Sequence, residues 1–248
     1  MAELLRRPGS VGGPQAGPLA GGGAGAWGDG GRPAAVLFDL DGTLIDSELV
    51  WSAAVGGLVR EHGRPWHPAD DDAILGRSIP ALCAEVLHRG VPLTEQQIVD
   101  RLHHDVGVAL RRGLPWRPGA RHLLAALHNS GIPLALVSAT YRVVVAEVVA
   151  QAPDDVFRVV VTGDDPGRPK PAPDAYLRAA ELLGVEATRC LAVEDSPTGV
   201  RAALAAGALT VATDPTVVLP PEVLAHPRLR RVDGLEAVGR VVLDPRVW

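Results

Sequence analysis

The chain has 248 residues, 47% of them hydrophobic and only 4% aromatic, with 24 basic and 29 acidic residues and a net charge of −5. That is enough apolar material for one large domain or two small ones, with Leu, Val and Ala filling the interior. No block of like charge marks a nucleic-acid or anionic-membrane partner, and no uninterrupted apolar stretch reaches the roughly 18 residues that span a bilayer.

Residues 1–32 are dense in Gly, Pro and Ala. They cannot bury enough surface to offset their ordering entropy, and a disordered tail is expected there. No apolar segment of signal-peptide type follows Arg6 and Arg7. The apolar run 34–38 predicts a buried strand, and it leads into Asp39-Leu40-Asp41-Gly42-Thr43. Residues 47–116 hold no strand pattern. Helices are expected at about 48–61, 70–75, 79–88 and 94–112, the last opening on a capping box between Thr94 and Gln97. An all-helical insertion of this length can bury a small core of its own and would sit over the carboxylates as a cap. Trp51, Trp66 and Trp116 are expected in that core, His103 and His104 on its surface, and Asp70-Asp71-Asp72 as a solvated first helical turn.

Beyond the insertion, helical stretches and apolar runs alternate. Helices are expected at 118–130, 141–152, 174–183 and 198–206, and strands at 132–137, 157–161, 190–193 and 208–212, with a short sixth opening at Arg231-Val232. The fold class is therefore α/β: a Rossmann-like parallel sheet with helices on both faces, built from 33–46 and 117–248 and interrupted by the helical insertion. Right-handed crossovers gather the strand C-termini on one edge, where open sheets of this kind bind ligands. Cys83 and Cys190 match no zinc or redox spacing and read as buried thiols, in keeping with a reducing cytoplasmic setting.

Several side chains at these strand ends are poor choices for packing. Asp39 and Asp41 follow the first strand, Ser138 and Ala139 the second, and Glu194-Asp195 the fourth, while Lys170 lies in the loop before the third core helix. Crowded carboxylates raise one another's pKa values unless a cation compensates. Oxygen-only ligands favour a hard ion, Mg²⁺ above all. Together with a fixed lysine and hydroxyl donors, the set suits phosphoryl transfer, in which positioning and charge neutralisation dominate.

At this point the chain resembles the haloacid dehalogenase superfamily, in the branch with a helical cap after the first motif (the phosphoglycolate phosphatase and beta-phosphoglucomutase type). The resemblance runs from about Ala34 to Val238. It is carried by Phe38-Asp39-Leu40-Asp41-Gly42-Thr43-Leu44, Leu136-Val137-Ser138-Ala139-Thr140, Lys170-Pro171-Ala172-Pro173-Asp174 and Val193-Glu194-Asp195-Ser196 with Gly199. It implies a Mg²⁺-dependent phosphatase acting on a small phosphorylated metabolite. Asp39 would be nucleophile and metal ligand, and Asp41 general acid and then base, its backbone carbonyl on the metal. Ser138 and Ala139 would bind the phosphoryl group, Lys170 would neutralise Asp39 and the phosphate, and Asp195 with Glu194 would complete the metal site. Leu75-Gly76-Arg77-Ser78 resembles a substrate-specificity loop, with Arg77 as a substrate contact. Pro169 stands where the family usually has Gly. Trp51 stands where beta-phosphoglucomutases carry a hinge His, which ranks a sugar phosphomutase, and below it a non-catalytic phosphate binder, as the alternatives. A monomer or weak homodimer is expected.

Overall fold

A computed structural model describes residues 31–74, 77–153 and 155–243, so the expected tail lies almost wholly outside the described residues. The first apolar run forms β1 (Ala35–Phe38), and four helices follow it: α1 (Glu48–Glu61), α2 (Pro68–Ile74), α3 (Ile79–His88) and α4 (Glu95–Arg111). The chain then alternates through α5 (Ala120–Asn129), β2 (Leu134–Val137), α6 (Arg142–Val149), β3 (Val159–Val161) and α7 (Asp174–Leu183). It ends with β4 (Cys190–Glu194), α8 (Pro197–Ala205), β5 (Leu209–Ala212), α9 (Pro221–Leu224), β6 (Leu229–Arg231) and α10 (Gly234–Leu243).

Element limits follow local chemistry. Thr94 caps α4: its hydroxyl accepts from the Gln97 N–H at 3.3 Å, and the Gln97 side chain accepts from the Thr94 N–H at 2.9 Å. The strand expected from Ile132 begins only at Leu134, because Pro133 has no N–H for the ladder. Its carbonyl still accepts from the Val36 N–H at 3.0 Å.

The six strands are all parallel, in the order β3-β2-β1-β4-β5-β6. The chain starts at the centre, steps out to β3, then crosses back to β4. The strand order therefore reverses beside β1, and the crevice past the strand C-termini at such a point is where open sheets bind ligands. Alternate residues face opposite layers. Val36, Phe38, Leu134, Leu136, Leu191 and Val193 pack with α5, α6, α10 and the inserted helices. Ala35, Leu37, Ala135, Val137, Cys190 and Ala192 pack with α7 and α8.

The insertion leaves and rejoins the sheet through two adjacent linkers. The Asp46 N–H donates to the Pro115 carbonyl and the Arg117 N–H to the Leu44 carbonyl, each at 2.8 Å. Within the insertion Trp51 and Trp66 are buried, as expected. Asp71 is not simply solvated: it accepts from Ser52 Oγ at 2.6 Å and Trp66 Nε1 at 2.9 Å, tying α1 to α2. His103 also departs from expectation. It is only 2% exposed, because the apolar face of α4 formed by Val99, Leu102, Val106 and Leu110 continues through it. That face meets α6, where Arg111 pairs with Glu147 at 2.6 Å and Gln151 Nε2 donates to the Leu110 carbonyl at 2.9 Å. No helix among the described residues is long and apolar enough to cross a membrane.

Candidate active site

Parallel register brings the chemistry to one place. Phe38 is level with Leu136 on one side and Val193 on the other, so Asp39, Ser138 and Glu194 emerge together at the C-terminal edge. The Asp39 N–H donates to the Val193 carbonyl at 3.0 Å, which fixes the strand tip. The chain then turns at Gly42, whose φ is +83°. A Cβ there would lie 2.0 Å from Asp195 Oδ2. Gly42 thus lets the first loop close over Asp195, which Thr43 Oγ1 holds by a 2.9 Å bond to Oδ1.

Lys170 binds this edge together. Its Nζ reaches Asp39 Oδ1 at 2.6 Å, Glu194 Oε1 at 2.7 Å and the Val137 carbonyl at 3.0 Å. These three bonds use all three ammonium hydrogens. Pro169 has not displaced the lysine, whose side chain is 8% exposed. Burial alone would push its pKa down, but Asp39 and Glu194 outweigh that and hold it above the ordinary value.

Glu194 is completely buried and its carboxylate is satisfied on both oxygens. Oε1 accepts from Lys170 and, at 2.5 Å, from the buried Tyr176 hydroxyl. Oε2 accepts from Ser196 Oγ at 3.2 Å and from the Ser196 N–H at 3.5 Å. Gly199, in the first turn of α8, makes room for it: a Cβ there would stand 1.9 Å from Oε1. Ser196 Oγ also caps α8 by accepting from the Gly199 N–H at 3.0 Å.

Ligand oxygens of Asp39, Glu194 and Asp195 all lie within 4.8 Å of one another. Burial and then the Glu194 charge push the Asp39 carboxyl well above the usual range, with Lys170 opposing. Burial and Glu194 push Asp195 up to about 7, against the Thr43 bond and Lys170. Glu194 has spent its lone pairs on donors. Asp39 Oδ2 and Asp195 Oδ2 accept from no donor among the described residues, so the oxygens open to a cation belong to these two. A wholly oxygen donor set of this charge fits a hard divalent ion.

Asp41 faces a different set of donors. Its Oδ1 accepts from Ser47 Oγ at 2.5 Å and Trp51 Nε1 at 3.4 Å. Its Oδ2 accepts from Thr140 Oγ1 at 2.8 Å and Ser138 Oγ at 3.2 Å. Ser138 Oγ in turn accepts from the Thr140 N–H at 2.9 Å. Ala139 lies between these hydroxyls at the exposed tip of the same loop.

Asp39, Asp41, Ser138, Lys170, Glu194 and Asp195 therefore meet at one edge as the sequence predicts, with Ala139 beside them. Arg77 does not join them: it is exposed and lies 3.7 Å from Glu85. Leu75 and Gly76, from the same expected specificity loop, fall outside the described residues. Tyr176, Thr43, Ser47 and Trp51 contribute bonds that the sequence reading did not assign. Each is a donor within ten residues of a motif carboxylate or of Lys170, which was the available signal.

The model of the haloacid dehalogenase-like hydrolases matches residues 33–207. Hexitol phosphatase A of Escherichia coli K12 is 35% identical over 209 residues, covering 79% of this chain and 87% of that protein. The CbbY protein of Rhodobacter capsulatus is 31% identical over 191 residues, covering 72% of this chain and 84% of its own length. Among solved structures, CbbY of Rhodobacter sphaeroides in complex with xylulose-(1,5)bisphosphate superimposes with a TM-score of 0.66 at 26% identity, over 80% of this chain and 93% of that one. The relatives thus include enzymes named as phosphatases, and the matched segment spans every side chain of the edge described above. The chain belongs to the haloacid dehalogenase-like hydrolases.

Proposed function

We propose that this protein is a Mg²⁺-dependent phosphatase that hydrolyses a small phosphorylated metabolite, of sugar-phosphate or polyol-phosphate type, through an aspartyl-phosphate on Asp39. The observation that carries this reading is the Lys170 bridge. One cation neutralises Asp39 through Oδ1 while the other oxygen stays clear of donors, as a carboxylate nucleophile requires. The names of the relatives support the substrate class. Asp39 attacks phosphorus, and Asp41 gives its proton to the departing alcohol oxygen. Asp41 then takes a proton from water, which attacks the aspartyl-phosphate and releases inorganic phosphate. Ser138, Thr140 and the backbone N–H groups of their loop donate to the phosphoryl oxygens. Asp39 and Asp195, with the Asp41 carbonyl, would hold Mg²⁺, which would supply positive charge to offset that of the phosphoryl group. Glu194 and Tyr176 keep Lys170 in place. The inserted helices form the cap that excludes water.

The test is phosphate release from p-nitrophenyl phosphate and from a panel of sugar and polyol phosphates. Release that stops with EDTA and returns with Mg²⁺ is the expected result. Interconversion of hexose phosphates without net phosphate release would make the protein a mutase, and binding without turnover across the panel would make it a phosphate binder.

The metal reading also predicts a pH dependence. Asp195 sits near 7 in the folded chain against an ordinary 3.8. A carboxyl raised on folding adds stability that is fully present below its unfolded value and is lost as pH rises through the folded one. The metal-free protein should thus lose that contribution between about pH 4 and 7. Mg²⁺ needs the ionised form and should stabilise more at pH 8 than at pH 6. A roughly tenfold difference in affinity corresponds to about 3 °C or more in the Mg²⁺-induced melting shift. Equal shifts at the two pH values would remove Asp195 from the metal site.

A further inference from the structure

Asp41 is shared between two parts of the molecule. Oδ2 accepts from Ser138 and Thr140, in the loop after β2, whereas Oδ1 accepts from Ser47 and Trp51, at the start of α1. Ser138 and Thr140 are hydroxyls that rotate to a new acceptor at little cost, while the Trp51 indole N–H only donates and points wherever its ring is held.

His103 holds that ring. It meets Trp51 edge-on, with centroids 5.4 Å apart and planes at 87°. Its other side stacks on Tyr141, centroids 4.3 Å apart at 24°. Tyr141 is the N-cap residue of α6 and follows the Ser138–Thr140 loop directly. His103 is thus wedged between an inserted helix and the loop expected to receive the phosphoryl group. Its angle is set by a 2.7 Å bond from Nδ1 to the Val99 carbonyl, one turn back on α4. A carbonyl only accepts, so Nδ1 carries the proton and Nε2 is left as an acceptor. Nε2 is buried without a partner among the described residues. A buried polar atom left unpaired is unusual and asks for a reason. Here the ring's tether and its two aromatic contacts supply one: the imidazole serves for its fixed orientation between Trp51 and Tyr141.

We propose that His103 is a positioning residue for proton transfer. Through Trp51 it ties Asp41 Oδ1 to the inserted helices. Oδ2 is then the oxygen that carries the proton once Ser138 and Thr140 turn to the phosphoryl group. In that step the bond from Asp39 to phosphorus forms and the bond from phosphorus to the alcohol oxygen breaks, while the proton passes from Asp41 Oδ2 to that oxygen. The proposal rests on the phosphatase reading, with Asp41 as acid and base.

Leaving groups separate this role from a packing role. p-Nitrophenolate departs as a stable anion and needs little proton donation, whereas the alkoxide of glycerol phosphate needs a full proton. The ratio kcat/KM covers only steps up to formation of the aspartyl-phosphate, so later water attack does not enter. Trp51→Phe and His103→Ala should each lower kcat/KM for glycerol phosphate by roughly tenfold or more and leave p-nitrophenyl phosphate within about twofold. If His103→Ala does not fold, His103→Phe, which keeps a ring between Trp51 and Tyr141 but removes the Nδ1 tether to Val99, takes its place in the comparison with Trp51→Phe. Equal losses on both esters, no loss on either, or discrimination changed by Trp51→Phe but not by a folded His103→Ala would overturn the proposal. So would a wild type that turns over the aryl ester alone. A wild type that turns over neither ester nor any member of the sugar- and polyol-phosphate panel would instead overturn the phosphatase reading.

Discussion

Asp39→Asn is expected to abolish turnover, by roughly ten-thousand-fold or more in kcat, while leaving the fold intact or more stable. The two effects have one structural origin. Asp39 is only 7% exposed at a strand tip, among carboxylate oxygens gathered within 4.8 Å. Burial, and then Glu194, work against its negative charge. An amide of nearly the same shape removes that charge, and its oxygen still accepts from Lys170, so metal-free melting should not fall. The same change removes the nucleophile, because an amide does not form an acyl phosphate that water can clear. Rapid acid quench should trap phosphate on the wild-type peptide that contains Asp39 and none on the variant. Activity within tenfold of wild type would assign the nucleophile elsewhere. Loss of activity together with a large drop in melting temperature would show Asp39 to be structural.

Much of this edge was legible in the sequence because its parts are local. An apolar run that ends in Asp39-Leu40-Asp41-Gly42 announces a strand tip that carries charge. Glu194-Asp195 after Leu191–Val193 announces a second, and a parallel sheet places the two side by side. The limits of α1, α3 and α7 agree with those expected from the helical pattern of the sequence. What escaped were relations between distant residues. His103, next to His104 on an amphipathic helix, reads in the sequence as a surface group. Its burial depends on α6, about forty residues on, packing along α4. Tyr176 resembles an ordinary helix-core aromatic, and only the crossover that lays α7 against the sheet brings its hydroxyl to Glu194. Gly199 is visible as a residue, but its reason is not: the space it leaves is filled by a carboxylate from the preceding strand. α9 is a single turn opened by Pro220-Pro221, too short to leave a periodic signal in the sequence.

Lys170→Met tests the other half of the charge balance and should do the reverse of Asp39→Asn. Methionine keeps most of the buried stem and discards the ammonium. Asp39 and Glu194 then face each other without a cation, although Tyr176 and Ser196 still donate to Glu194. Removing one partner of a buried ion pair costs about 3–5 kcal/mol, because the remaining charge stays buried. The deficit should depend on pH in a direction fixed by the wild type. Burial and mutual repulsion already raise Asp39, and Lys170 is the first influence that opposes them. Without the lysine the folded-state pKa climbs further above the unfolded one. Stability should therefore hold best at low pH, where the carboxyl is protonated in both states, and fall as pH rises through the folded value. Denaturant melts at pH 5 and pH 8 should show the larger deficit at pH 8, and Mg²⁺ should recover part of it there by replacing the lost charge. Turnover should drop by roughly a thousandfold or more, as Asp39 loses the cation that keeps it ionised and aimed. An equal deficit at both pH values would mean that Lys170 stabilises the edge through its stem. The carboxylates would then need another source of compensation, and the metal, rather than the lysine, would be what permits two aspartates at the end of β1.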